Sequence, residues 1–385
     1  MAKRATLSAG FAFFLSLTAF AQAQTTIPTP RPDTAETSEP IEVVPEGPVV
    51  DQSTELPRRT DTEVNGWKLT QVGARGQVLS SAAMPIIIQC RDGSFVDPAF
   101  QVCFGAGAAA NLPRPFVEVR PTARPDGGMR DGRIARSVDA GDISEAWYIK
   151  PTQRYAHAIL GDDVEAGGLA VRTADSKVFQ IDLPEEEVFE DITPRIIDLD
   201  GLGKNHVVTL RSHKDKGASI AVYGLVDEEL ILLAQTSYIG RTNRWRNVAG
   251  IEDFDGDGSL QIAEVVTPHI GGTLNFWTWK NGALVFSGSA FGFSNHEIGS
   301  REQRLSTVND FDGDGVSDIA LPSGDRKSLR LMRFDGTARG EKMLQEIASI
   351  PLPARIDKAI GSHFNGRGTT ITVGLEDGSV YVIHQ

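Results

Sequence analysis

The sequence is short of cysteine, with 2 in 385 residues, and it has only 5 methionines. Two thiols are too few for a cysteine-built metal cluster or a disulfide-dense scaffold. Basic residues are outnumbered: 38 Lys and Arg stand against 51 Asp and Glu, a formal charge of −13. That balance argues against nucleic acid or an anionic membrane surface as the main partner, and it suits cations. Long apolar runs are missing as well. Beyond Ala23 no stretch approaches the roughly 20 apolar residues of a membrane helix. No nucleophile elbow, phosphate loop or dinucleotide fingerprint occurs in a suitable context. The 7 histidines (157, 206, 213, 269, 296, 363 and 384) show no metal-ligand spacing. What remains is a chain with 40% hydrophobic residues, enough to bury a core.

The first residues predict an export signal over 1–23. Lys3 and Arg4 precede an apolar stretch from Gly10 to Phe20, and Ala21-Gln22-Ala23 supplies a small-x-small cleavage pattern. No cysteine follows to carry a lipid anchor, so the mature protein is expected in the periplasm or outside the cell. Residues 24–64 hold Pro28, Pro30, Pro32, Pro40, Pro45, Pro48 and Pro57 among Thr, Glu and Asp. Proline offers no amide donor and little apolar surface accompanies it, which predicts an extended linker. Within 65–145, Pro85 to Phe104 predicts two short strands around the turn Asp92-Gly93. In an oxidising compartment Cys90 and Cys103 are expected to close them with a disulfide. Residues 112–140 predict a second linker.

From 146 to 385 the pattern is all-β. Phe179, Ile181 and Leu183 alternate with polar neighbours, as do Leu329 and Leu331 around Arg330. Period two means half-buried strands. Turn pairs punctuate them at Asn281-Gly282, Asp335-Gly336 and Asp377-Gly378.

Five segments repeat inside this region. Asp253-Phe254-Asp255-Gly256-Asp257-Gly258 and Asp310-Phe311-Asp312-Gly313-Asp314-Gly315 are the clear copies. Asp198-Leu199-Asp200-Gly201-Leu202-Gly203 is partial, and the segments starting at Asp163 and His363 are degraded. The first spacing is 35 residues, and the others, 55, 57 and 53, suit one four-stranded unit each. Carboxylates at positions 1, 3 and 5 of a tight loop converge on one point, where they would repel one another without a cation. A carbonyl from position 7 and a side chain from position 9 complete an oxygen cage for Ca²⁺. The candidate ligands are therefore Asp310, Asp312, Asp314, the Val316 carbonyl and Asp318 in one loop. In the other they are Asp253, Asp255, Asp257, the Ser259 carbonyl and Gln261. Asp198 and Asp200 form a weaker set, because Leu202 replaces the third acid.

Asp253 to Glu264 also satisfies the EF-hand loop pattern, including the acid at position 12. An EF-hand needs flanking helices, and the flanks Asn247 to Ile251 and Val265 to Pro268 favour strands.

The two clear copies, with Val316-Ser317-Asp318-Ile319-Ala320 after the second, resemble the FG-GAP/VCBS repeat. The resemblance implies a β-propeller of about five four-stranded blades, calcium loops on one face and partners met on the other. Pairing of Trp147 to Lys150 with the last repeat is expected to close the ring. Arg154, Arg244 and Arg301 each stand nine residues before a first loop position, and Trp245 follows one of them. On the face opposite the loops they form a candidate site for an anionic ligand. The expected function is an exported binding or scaffolding module for a protein or glycan. The alternative is a propeller hydrolase or lyase using His157 or His296 at the channel mouth.

Overall fold

Val207 and Val208 are chain neighbours, yet they pack into different cores. That is the consequence of the β pleat, which sends successive side chains to opposite faces. The protein is built on this device throughout. The structure is a computed structural model that describes residues 61–64, 66–73, 95–97, 102–104, 127–130, 132, 134–137, 141–338, 340–364 and 368–385. The export signal, the linker up to residue 60, Cys90 with its expected pairing, and 365–367 of the last repeat lie outside the described residues.

Apart from one short 3-10 turn at Gly340–Met343, every regular element described is a strand. A hairpin, β1 (Asp61–Val64) and β2 (Trp67–Gly73), comes first, and a small one follows, β3 (Phe95–Asp97) with β4 (Val102–Phe104). Antiparallel meanders then succeed one another. Sheet I is β5 (Ala135–Arg136), β6 (Ile143–Thr152), β7 (Glu165–Thr173) and β8 (Val178–Asp182). A short β9 (Glu187–Phe189) joins it to sheet II, which is β10 (Arg195–Ile197), β11 (His206–His213), β12 (Gly217–Val226) and β13 (Glu229–Gln235). Sheet III is β14 (Arg246–Glu252), β15 (Gln261–Val266), β16 (Gly272–Lys280) and β17 (Ala283–Phe293). Sheet IV is β18 (Thr307–Asn309), β19 (Asp318–Pro322), β20 (Ser328–Phe334) and β21 (Leu344–Pro351). Sheet V is β22 (Gly361–Phe364), β23 (Thr369–Gly374) and β24 (Val380–His384), continued by β2 and then β1.

Consecutive sheets share cores. Leu169, Phe189, Val207 and Tyr223 lie between sheets I and II, and Val208, Leu210, Val248, Ile262 and Trp279 between II and III. Phe254, Phe276, Ile319 and Phe334 fill the space between III and IV. Leu329, Leu331, Ile371, Val373 and Ile383 do the same between IV and V, with Trp67 and Leu69. Trp279 is thus a core residue.

Three sequence expectations change. Trp147 to Lys150 does not complete the last sheet: it lies in β6, whose neighbours are β5 and β7. The strand added to β24 is β2, with Lys68 opposite His384 and Thr70 opposite Val382. Apolar Trp67 and Leu69 on one face of β2 are what the sheet V core needs, and the Pro-rich stretch before them hid the signal. Asp61–Val64, placed by composition in the linker, forms β1 and pairs with β2. The segment starting at Asp163 is not a loop copy. Its Glu165 to Gly168 lie within β7, and Gly168 pairs with Ile149 and Asp182. The short 35-residue spacing arose from that misplaced register. Asp142, just before β6, accepts the backbone amide of Asn205 beside the sheet II loop with Oδ1 at 2.8 Å.

Candidate functional site

Each of sheets II, III and IV joins its first two strands by the repeated loop, and the three loops share one set of hydrogen bonds. The carboxylate at position 1 accepts the amide of position 6: Asp198 from Gly203 at 2.7 Å, Asp253 from Gly258 at 2.9 Å, and Asp310 from Gly315 at 2.9 Å. Both glycines of each clear copy have positive φ, 69° and 87° at Gly256 and Gly258, 82° and 87° at Gly313 and Gly315. A residue with Cβ adopts that conformation only under strain, so glycine recurs there. Position 2 is an apolar anchor, and Leu199, Phe254 and Phe311 are all buried.

Position 9 is buried, and it accepts the amide of position 2. Phe254 donates to Gln261 Oε1 at 2.6 Å, Phe311 to Asp318 Oδ2 at 3.0 Å, and Leu199 to His206 Nδ1 at 3.3 Å. What each residue has left over differs. Asp318 has a second oxygen, Oδ1, which is buried and has no hydrogen-bond partner. Gln261 has one oxygen, already turned to the amide, so its NH₂ faces Asp255 Oδ1 at 3.0 Å and the Ser259 carbonyl at 2.8 Å. In this arrangement Gln261, expected as an oxygen ligand, braces two of the other expected ligand groups with its donors. His206 accepts with Nδ1, so the proton of its neutral ring lies on Nε2. It was not singled out in the sequence, and only its place at loop position 9, eight residues after Asp198, marked it.

The acids themselves are gathered. Ligand atoms of Asp253, Asp255 and Asp257 lie within 4.8 Å of one another, as do those of Asp310, Asp312 and Asp314, and of Asp198, Asp200 and His206. These groups could hold a metal ion. Electrostatics show the strain of close like charges. Burial, with the charges of Asp314 and Asp310, pushes the Asp318 carboxyl up to about 7. Burial and the neighbouring Asp257 raise Asp255. Asp253 Oδ1 is a further buried oxygen with no hydrogen bond. Uncompensated carboxylates of this kind are costly unless a cation joins them. The two clear loops are also neighbours, for a Cβ on Gly256 would lie 3.2 Å from Val316 Cγ2.

Glu264, the position 12 acid of the EF-hand pattern, plays no part in the loop. It is fully buried in β15, where it receives Arg246 Nη1 at 2.9 Å and Trp277 Nε1 at 2.7 Å. Strands β14 and β15 bracket residues 253–260, so the flanks are those of a sheet.

The three arginines expected on the ligand face each have partners within the chain. Arg154 is held by the Glu187 carbonyl at 2.9 Å and lies in the β6–β7 connection. Arg301 donates to Asp162 and to the Leu160 carbonyl, both at 2.9 Å. Arg244 donates to the carbonyl of its neighbour Asn243. Trp245 is 2% exposed, stacks on His269 and donates to the Glu190 carbonyl, so it offers no open ring face. A cavity of about 510 Å³ lies against β10, β14 and 301–306, and of these four residues only Arg301 lines it. His157 bonds fully buried Glu190 at 2.5 Å, and His296 bonds His269 at 2.8 Å, away from that cavity's lining.

Compared with models of known protein families and with curated proteins, the chain finds no match. Among the described residues no helix is long and apolar enough to cross a membrane.

Proposed function

We propose that the chain is an exported β-propeller of five four-stranded blades, related to the FG-GAP/VCBS repeat proteins, that binds Ca²⁺ and serves as a binding or scaffolding module for an extracytoplasmic protein or glycan. The observation that carries the calcium part is Asp318, whose buried second oxygen lacks a partner beside three clustered carboxylates. In the sheet IV loop, Asp310, Asp312, Asp314 and Asp318 would hold the ion, with the Val316 carbonyl. In the sheet III loop, Asp253, Asp255, Asp257 and the Ser259 carbonyl would do so. All these donors are oxygen, which favours a hard cation over zinc or copper. A bound ion supplies charge compensation and fixes the loop.

The propeller is supported by five consecutive meanders whose neighbours share cores. The outer faces of the end sheets are buried too: Trp147, Ile149 and Ala170 on sheet I, Thr370, Thr372, Val380 and Val382 on sheet V. Such faces need a cover, and each other is the cover a closed ring supplies.

Thermal melts of the full chain in calcium and in chelator test this. At a tenfold excess over Kd each filled site adds about 1.4 kcal/mol. Asp314→Ala is expected to lower Tm in calcium and to leave it nearly unchanged in chelator. Equal losses in both would contradict cation binding. Capture from envelope extract with and without calcium reads the partner.

A further inference from the structure

The two clear loops differ in what stands across the sheet from them. In sheet IV, Ile319 pairs with Met332, and the next residue of β20 towards the loop is Arg333. Its guanidinium contacts the Asp312 carboxylate and lies 3.4 Å from Asp314. The matching register in sheet III pairs Ile262 with Trp277, so the corresponding residue is Thr278, which bonds Ser287 Oγ at 2.5 Å. In sheet II, Val207 pairs with Tyr223, so the corresponding residue is Gly224. Of the three loops, only the one in sheet IV has an arginine at that place.

Given cation binding by these loops, as proposed above, we infer that Arg333 is a built-in competitor that occupies the sheet IV loop when calcium is low and is displaced when the ion enters. The chemistry follows from charge. The sheet IV loop brings four carboxylates together, Asp310, Asp312, Asp314 and Asp318, where the sheet III loop brings three with Gln261. An empty loop of four acids needs a counter-charge, and a guanidinium on the adjacent strand is one. The seat is imperfect, for Arg333 Nε is buried without a hydrogen-bond partner. A divalent cation offers twice the charge and ligates every carboxylate at once, so it can displace the arginine. The ion must do that work before it binds. The sheet IV loop is therefore the weaker, calcium-responsive site, although its donor set is the more complete. The sheet III loop, with neutral Thr278, is the constitutive one.

Calcium titration calorimetry on the full chain tests this, with Asp255→Asn and Asp314→Asn assigning the two binding steps. Wild type is expected to show a tighter sheet III step and a weaker sheet IV step. Arg333→Gln should tighten the sheet IV step about tenfold, within the usual range of coupling between sites, leave the sheet III step in place, and lower Tm in chelator. Arg333→Lys, which keeps a charge, should move the step less. An unchanged or weakened sheet IV step in Arg333→Gln, with folding intact by circular dichroism, overturns the competitor. Absence of calcium heat in wild type as well overturns the cation loops beneath it, a result distinct from the first.

Discussion

Asp318 accepts the Phe311 amide with Oδ2 at 3.0 Å while its other oxygen has no partner, and that single asymmetry separates the sheet IV loop from its two relatives. Asp318→Asn would give the loop the chemistry of Gln261, one acceptor spent on the amide and donors facing inward. In chelator at pH 8 the substitution is expected to stabilise the fold by about 2 kcal/mol, since it removes a charge whose burial is uncompensated. In calcium it is expected to destabilise. Urea melts in the two buffers check the change of sign.

The same group makes metal-free stability depend on pH. Its native value, about 7, is raised above the ordinary carboxyl value, so the folded state keeps the proton longer than the unfolded chain. This contribution is complete below about pH 4 and is lost as pH rises through 7.

A pair of histidines acts in the opposite direction. Burial, with Arg326 and His157 next, depresses His269 to about 4; burial and His269 depress His296 to about 3. Their contribution is present above the unfolded value of 6.5 and is lost as pH falls towards 4. In calcium, with Asp318 held ionised, this loss is expected to dominate the acid side. His296→Gln should flatten the slope of stability between pH 6.5 and 4, whatever its effect at pH 7.5.

Glu264 is a structural counter-ion. Glu264→Ala leaves Arg246 buried without its carboxylate and is expected to cost about 3–5 kcal/mol. The number of calcium ions bound per chain, read by equilibrium dialysis, should stay the same. A lost ion would return Glu264 to the ligand set.

Trp67 sits far from the repeats in sequence but inside the core shared by sheets IV and V, 2% exposed. Trp67→Ala is expected to cost about 3–5 kcal/mol in chemical denaturation. A change below 1 kcal/mol would mean that β2 is not part of the stable sheet.

Much of this architecture could be read from residues. The alternation around Ile181 and Leu331 placed strands, and the paired Asp-x-Asp-Gly motifs placed both clear loops and the acids they gather. What escaped depended on pairing across sequence distance. Nothing near Trp67 announces that it shares a core with Ile383, and Asp163 mimicked a loop copy because its Gly168 fell on the expected position inside a strand. The arginines shared a sequence offset, yet each found a nearby carbonyl or carboxylate, as Arg154 did at Glu187. The division of labour at position 9 was invisible for a simpler reason: a ligand list names residue types, while the outcome turned on how many acceptor atoms each type has free.

The pairing of Lys68 with His384 ties nearly the first described strand to the last. On the ribosome, β2 is made early and must wait, with the apolar sides of Trp67 and Leu69 uncovered, until β24 is made. Completion of sheet V therefore waits on β24, and a chain without that strand would leave β2 without its partner on that side.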